Sequence, residues 1–377
     1  RRPFGSSLFL PQFSFATRPP PPRCGPVAME RLQDQPLIAG GATAGLVALV
    51  FALRPCCRRS RPSSLPTTAA QKVVPCAEPE PDAAGIDAPA AEDHLSGKGA
   101  SVAEQAAVAE LRRQVLRAGA SKADARWYED AELLRFVRAR PNIVEAEVLF
   151  YEAMAWREGR RQLWGANPTE GSYGADYDAF LAGTKPAPDW FAFLSKNLPQ
   201  TLYGSDRFGV PIMYSHVGRT DLLGCEREVG FENLQRFGIM MNDSFLDKVR
   251  LRNKGQSDVV HGGVVVVDFE GVGVRHLREA GVFNRLAVVA KILHPERQRK
   301  CFIINAPSSF AALWRLLQPF IDPRTAARIH IIRASQSNAL VFDELGAENV
   351  PTFLGGSFEG LRQPEGSLVP VGAFKEV

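Results

Sequence analysis

The 377-residue sequence lacks the short patterns that usually announce catalysis. No GxSxG, HExxH, CxxC or P-loop spacing occurs in it, and Gly271-Val272-Gly273 lacks the third glycine of a dinucleotide loop. The six histidines are scattered, with no HxxxH pair to grip a metal. His216 and His330 fall in strand-like runs and read as core or edge residues. Asp268 and Glu270 stand two apart with no His or Lys beside them in sequence, so they do not form an acid–base site. Cysteine is scarce after residue 100: only Cys225 and Cys301 remain, too few for a disulfide framework. Charge of one sign is missing there too, since residues 101–377 hold 34 basic and 33 acidic side chains. A nucleic-acid binder needs a basic excess to displace counterions, so that class is excluded for the folded part. No metal, no cofactor and no enzymatic activity are expected.

The charge and proline that do stand out belong to the front. Fifteen of the 28 prolines and four of the six cysteines lie in residues 1–100. Residues 1–61 carry nine Arg against Glu30 and Asp34, and residues 62–100 carry two Lys against six acids. Residue 1 is Arg and the first methionine is Met29, so 1–35 reads as a targeting or untranslated stretch. Residues 36–53 (PLIAGGATAGLVALVFAL) run 18 residues without a charge. As a helix they would span about 27 Å, enough for one transmembrane anchor. Arg54, Arg58, Arg59 and Arg61 follow, which places the chain after the anchor on the cytosolic face. The alternative is organelle targeting, if residues 1–28 are translated. Cys56 and Cys57 stand at that membrane edge as palmitoylation candidates or as idle thiols. The remainder of 54–100, rich in Pro, Ala and acids, reads as a flexible linker.

From residue 101 the pattern is that of an α/β protein. Residues 101–165 form a helical lobe. Val108, Leu111 and Val115 recur at helical spacing, and Leu133, Leu134 and Val137 line one face of Asp130–Arg140. Pro141 stops that helix, and Asn142 with Glu145 restarts one that runs to about Gly159. Beyond about 198, strand and helix alternate. Val210–Val217, Val264–Val267, Lys300–Asn305 and Ala327–Arg333 are strand runs, with helices at Glu226–Arg250 and Arg278–Leu293. Such alternation implies a mostly parallel sheet flanked by helices.

Residues 294–329, HPERQRKCFIINAPSSFAALWRLLQPFIDPRTAARI, resemble the signature stretch of the CRAL-TRIO lipid-binding domain family. Within it the chain is most similar to the phosphatidylinositol transfer proteins of the secretory pathway. LLRFVRARPN (133–142), DRFGVPI (206–212), VVDFEGV (266–272) and VPTFLGGSFEG (350–360) extend the resemblance in order over about residues 125–360. It implies a helical N-terminal lobe (101–165) joined to a mixed, mostly parallel sheet lobe (190–360). Together they would enclose a hydrophobic lipid cavity, with 361–377 as a tail. A diacyl lipid has about 30 methylenes at about 0.8 kcal/mol each, so a carrier must offer matching apolar area and a gate.

The resemblance places that gate on the helix after Pro307. Phe310, Leu313, Trp314, Leu317 and Ile321 share one face there. By pattern alone the stripe fits a plain core helix better than one that enters a membrane interface. The resemblance also carries over four headgroup residues: Arg140, Glu296, Thr325 and Arg328. Read without it, the same residues are a solvated helix end and a surface Glu. Arg328 stands where close relatives have Lys, and Pro141 where they have a second basic residue. Gly263 and Val265 replace hydroxyl residues of choline-lipid binders, which leaves a sterol or another hydrophobe as second ligand. The implied function is phospholipid binding and exchange with membranes, phosphatidylinositol first, by a monomeric folded domain whose partners are membrane phospholipids. The alternative is a membrane-tethered lipid sensor without net transfer, since the linker reaches only about 35 Å.

Overall fold

The computed structural model describes residues 100–117, 122–164, 171–256, 259–317, 326–333, 339–350 and 356–357. The anchor candidate 36–53, Cys56, Cys57, Thr325, Ile321 and the tail 361–377 lie outside them. Among the described residues no helix is long and apolar enough to cross a membrane.

Three helices begin the folded part: α1 (Val102–Arg117), α2 (Asp130–Arg138) and α3 (Ile143–Trp164). Their apolar faces are those the spacing indicated. Val108, Leu111 and Val115 are buried, as are Leu133, Leu134, Ala146, Leu149, Phe150 and Ala153. The Asn142 side chain accepts from the Glu145 amide at 2.9 Å, which caps α3. That helix passes Gly159 and ends at Trp164, so glycine alone did not stop it. Two further helices, α4 (Gly174–Leu181) and α5 (Asp189–Asn197), fill a stretch that showed no clear periodicity. Tyr177 and Phe191 bury their rings there, edge to face at 5.6 Å.

Among the described residues the sheet has five strands in the order β1-β2-β3-β4-β5. They are β1 (Gln200–Ser205), β2 (Pro211–His216), β3 (Gly263–Asp268), β4 (Gln298–Ala306) and β5 (Ile329–Arg333). Only β1 runs antiparallel to its neighbour; β2 through β5 pair in parallel. The long helix expected over Glu226–Arg250 is two helices, α6 (Leu222–Val229) and α7 (Phe231–Asn253). They break at Gly230, whose φ of 79° only glycine adopts freely. Helix α8 (Ala280–Leu293) precedes β4, α9 (Ser308–Leu317) follows it, and α10 (Ala339–Leu345) follows β5.

The two faces of the sheet bury different things. Ile212, Tyr214, Val264, Val266, Phe302 and Ile304 pack into a compact core with Val341, Leu345 and Val350. The alternate residues Met213, Val265, Val267, Cys301 and Ile303 join the larger core formed with the helical lobe.

Buried ionic bonds tie the lobe to the sheet helices. Arg157 on α3 makes a two-pronged bond to Asp243 on α7, at 2.9 and 3.0 Å. Asp243 also accepts from the Tyr173 amide at 2.9 Å and from His294 Nε2 at 2.7 Å. Burial opposes the charge of Asp243, but Arg157 and His294 hold its carboxyl well below the usual range. Loss of either partner would strand a buried charge.

Candidate functional site

A cavity lies on the helical side of the sheet, enclosing about 1290 Å³ of empty space including its opening to solvent. The sheet supplies Met213 and Ser215 from β2 and Val265 and Val267 from β3. Helix α7 supplies Leu234, Ile239 and Met241, and α8 supplies Phe283, Leu286, Ala287 and Ala290. These side chains are almost all apolar, so the cavity rewards apolar area more than any specific chemistry.

Polar groups gather at its two ends, because α8 runs along it. Glu279 precedes α8 and His294 follows it, and both line the cavity. A helix of 14 residues separates them by about 21 Å.

At the His294 end, Arg297 and Gln298 also line the wall. Glu296, in the turn between His294 and Arg297, has a φ of 52°, in the left-handed region that a non-glycine residue rarely adopts. Such a backbone costs about 1–3 kcal/mol and persists where its surroundings enforce it. Here its carboxylate meets Arg328 Nη1 at 2.6 Å, with both side chains mostly buried. Two of the four headgroup residues read from sequence, 32 positions apart in the chain, are thus brought together. Arg328 itself sits in the turn entering β5, and its carbonyl accepts from Cys301 at 2.8 Å.

Arg140 lies at the end of α2, where one guanidinium nitrogen donates to the Ala139 carbonyl at 3.0 Å. It forms no salt bridge among the described residues, although the half-buried Glu152 carboxyl feels its charge. So does a cation the sequence did not single out, Lys291 near the C-terminal end of α8. Burial and then Arg140 push the Lys291 ammonium below its ordinary range. Nothing in a lone lysine on an amphipathic helix marks it as a partner for a residue 151 positions earlier.

The gate stripe is seen in part. Phe310 and Trp314 turn inward, 5% and 4% exposed, and Arg315 outward. Phe310 meets Phe269 edge to face at 4.8 Å. The side chains of Leu313 and Leu317 lie outside the described set.

Elsewhere one expectation is corrected. Asp268 and Glu270 do have a histidine nearby, because parallel pairing sets His216 opposite Asp268. The three come within 4.8 Å of one another. Asp268 already accepts from the Tyr214 hydroxyl, Asn305 and the Glu270 amide at 2.8–2.9 Å, so the group holds the strand ends together. Cys225 and Cys301 are buried free thiols, pushed up to about 12 by burial, and are not nucleophiles.

Residues 195–356 match the sequence profile of the CRAL/TRIO domain. The chain carries a CRAL/TRIO domain. Among its relatives is the SEC14 cytosolic factor of Eremothecium gossypii, 28% identical over 268 residues. That alignment covers 70% of this chain and 79% of the relative. The SEC14 cytosolic factor of Candida glabrata is 26% identical over 260 residues, 68% of this chain and 79% of the relative. Among solved structures, that of Sfh5 aligns at a TM-score of 0.44 and 14% identity, covering 66% of this chain and 85% of that one. The matched residues include the β-sheet and both cavity ends, and a lipid-binding role agrees with the largely apolar lining of the cavity.

The backbone at Gly263 leaves no room for a side chain. A Cβ at Gly263 would lie 2.1 Å from the Phe245 ring and 2.8 Å from the Pro211 carbonyl, so no serine fits without rearrangement. Val265 presents only methyls to the cavity.

Proposed function

We propose that the chain is a non-catalytic carrier that holds a phosphatidylinositol in the α7–α8 cavity and exchanges it with membranes. The observation that carries this reading is a largely apolar cavity whose one end holds His294, Arg297 and Gln298, next in the chain to Glu296 and its ion pair with Arg328. The guanidinium offers forked donors to a phosphate or to inositol hydroxyls, and the carboxylate accepts from those hydroxyls. Without lipid the two groups satisfy each other, which limits the cost of burying them.

Arg140 and Lys291 extend the same reading. Two cations that repel each other, neither held in a salt bridge among the described residues, are stabilised when a phosphate arrives. Lys291 then supplies the second positive charge that Pro141 cannot. The acyl chains lie against α7, α8 and the Met213–Val265 face. Helix α9 is the gate: Phe310 and Trp314 leave the core together when it swings, and a membrane interface receives them.

Transfer of labelled phosphatidylinositol between vesicles tests this. Arg328→Ala removes charge-assisted hydrogen bonds worth about 1.5–3 kcal/mol, which lowers phosphatidylinositol binding by about tenfold or more. Uptake of uncharged apolar probes stays unchanged, and Arg328→Lys recovers part of the loss. Equal loss of every ligand, or no transfer by the unaltered chain, would sink the proposal.

A further inference from the structure

The cavity end remote from Glu296 and Arg328 has a different chemistry. Glu279 is 7% exposed, Thr220 4% and His276 2%, and all three line the cavity. Both hydrogen bonds to the Glu279 carboxyl fall on Oε2, at long range: 3.3 Å from the Leu222 amide and 3.4 Å from Thr220 Oγ1. The single hydroxyl hydrogen of Thr220 is better used at 2.7 Å on the Val217 carbonyl. Glu279 Oε1 has no bond to any described residue. A carboxyl this buried and this poorly bonded costs about 1–3 kcal/mol unless something else completes it. It stands on the wall of a cavity, where a ligand can.

We propose that Glu279 with Thr220 forms a second recognition site, which takes the hydroxyl group of a neutral, elongated hydrophobic ligand lying along α8. This rests on the reading that the cavity holds lipid, but not on the identity of the headgroup bound at Arg328.

The surroundings select among polar groups. Asp221 sits close enough to disfavour negative charge on Glu279. The cation in reach is Arg275, which is exposed and bonded to the Gly218 carbonyl. His276 is held toward its neutral form by burial and by Arg275, and its Nδ1 accepts from the Gly273 amide at 3.0 Å. A phosphate or carboxylate therefore finds no unengaged positive partner here among the described residues. Burial pushes Glu279 up to about 7, so near neutral pH a large share of the carboxyl is protonated. A protonated carboxyl donates through one oxygen and accepts through the other. A ligand hydroxyl does both as well, so the two groups complete each other with no charge left buried. Between the ends, the α8 face of Phe283, Leu286, Ala287 and Ala290 gives about 11 Å of apolar wall for the ligand body.

The test uses the purified full chain and a matched pair of probes presented in neutral vesicles: oleyl alcohol, and the same hydrocarbon lacking the hydroxyl. Each displaces a fluorescent fatty reporter from the cavity. The unaltered chain favours the alcohol by about tenfold, the worth of one well-made buried hydrogen bond. Glu279→Ala abolishes that preference while uptake of the hydrocarbon and of phosphatidylinositol persists. Glu279→Gln, whose amide also donates and accepts, keeps part of it. An equal affinity of the unaltered chain for both probes overturns the site, as does a preference that survives Glu279→Ala. Oleylamine binding tighter than the alcohol overturns the assignment to neutral hydroxyls. Phosphatidylinositol uptake without an alcohol preference removes this site alone, whereas a chain that takes up no lipid removes the carrier reading with it.

Discussion

The two faces of the central sheet are built from the same kinds of residue and do opposite things. Along β3, Val264 and Val266 face a compact core closed by Val341, Leu345 and Val350. Val265 and Val267, one position over, face a cavity. Four consecutive valines thus serve packing and ligand binding in alternation. A β-branched side chain satisfies either face, because both ask only for removal from water. What separates the faces is whether the opposite layer closes: on one side short segments press against the strands, and on the other α7 and α8 stand off.

Truncation tests that difference most strongly. Phe302→Ala opens a void in the compact core, where Phe302 also stacks on His330 at 5.2 Å. It should cost about 3–5 kcal/mol in denaturant unfolding. Met213→Ala on the other face enlarges a space that already exists, so little new void is formed. Its cost should stay below about 2 kcal/mol, with the larger change appearing in lipid uptake. Similar losses for both would show that the ligand-free cavity is closed.

The next effect is a pH dependence specific to the cavity face. Glu279 titrates at about 7 when folded against an ordinary 4.5, so the folded state holds its proton more tightly. Its contribution to stability is full below about 4.5 and is lost as pH rises through 7, by about 3 kcal/mol. His294 and His261, pushed down to about 4 by burial, act in the opposite sense and lose stability as pH falls from 6.5 to 4. The difference in unfolding free energy between the unaltered chain and Glu279→Gln isolates the Glu279 contribution. That difference should change between pH 4.5 and 8, and a flat one would mean Glu279 is solvated.

The smallest effect is the finest contrast. Val266→Thr places an unpartnered hydroxyl in the compact core, at a cost of about 1–3 kcal/mol. Val265→Thr places the same group on the cavity wall, where water or ligand can reach it, and should cost less than about 1 kcal/mol. Thermal unfolding of the pair decides whether the two faces differ in solvation. Equal shifts would erase the distinction.

Much of the fold is legible in the order of residues alone. The helical faces of α1, α2 and α3, the cap at Asn142 and four of the five strands follow from spacing and turn chemistry, because a helix or strand buries a face its own residues define. The resemblance around residues 294–329 named Glu296 and Arg328. Sequence patterns missed α4, α5 and β1, whose residues are aromatic or polar without clean periodicity. They also joined α6 to α7 across Gly230, whose positive φ is invisible in a helical wheel. The pairing of His216 with Asp268 needed the parallel register of β2 on β3, and no local signal carries register between strands about 50 residues apart.

The sequence by itself determined the α/β class, the helical lobe and the CRAL/TRIO character of the later part. Only the tertiary structure decided which valines see a cavity. It also paired Arg328 with Glu296, set Lys291 within the electrostatic reach of Arg140, and left Glu279 with two long hydrogen bonds at the far end. The physical reason is that local preference depends on neighbours three or four residues away, whereas a cavity is the space that distant helices fail to fill.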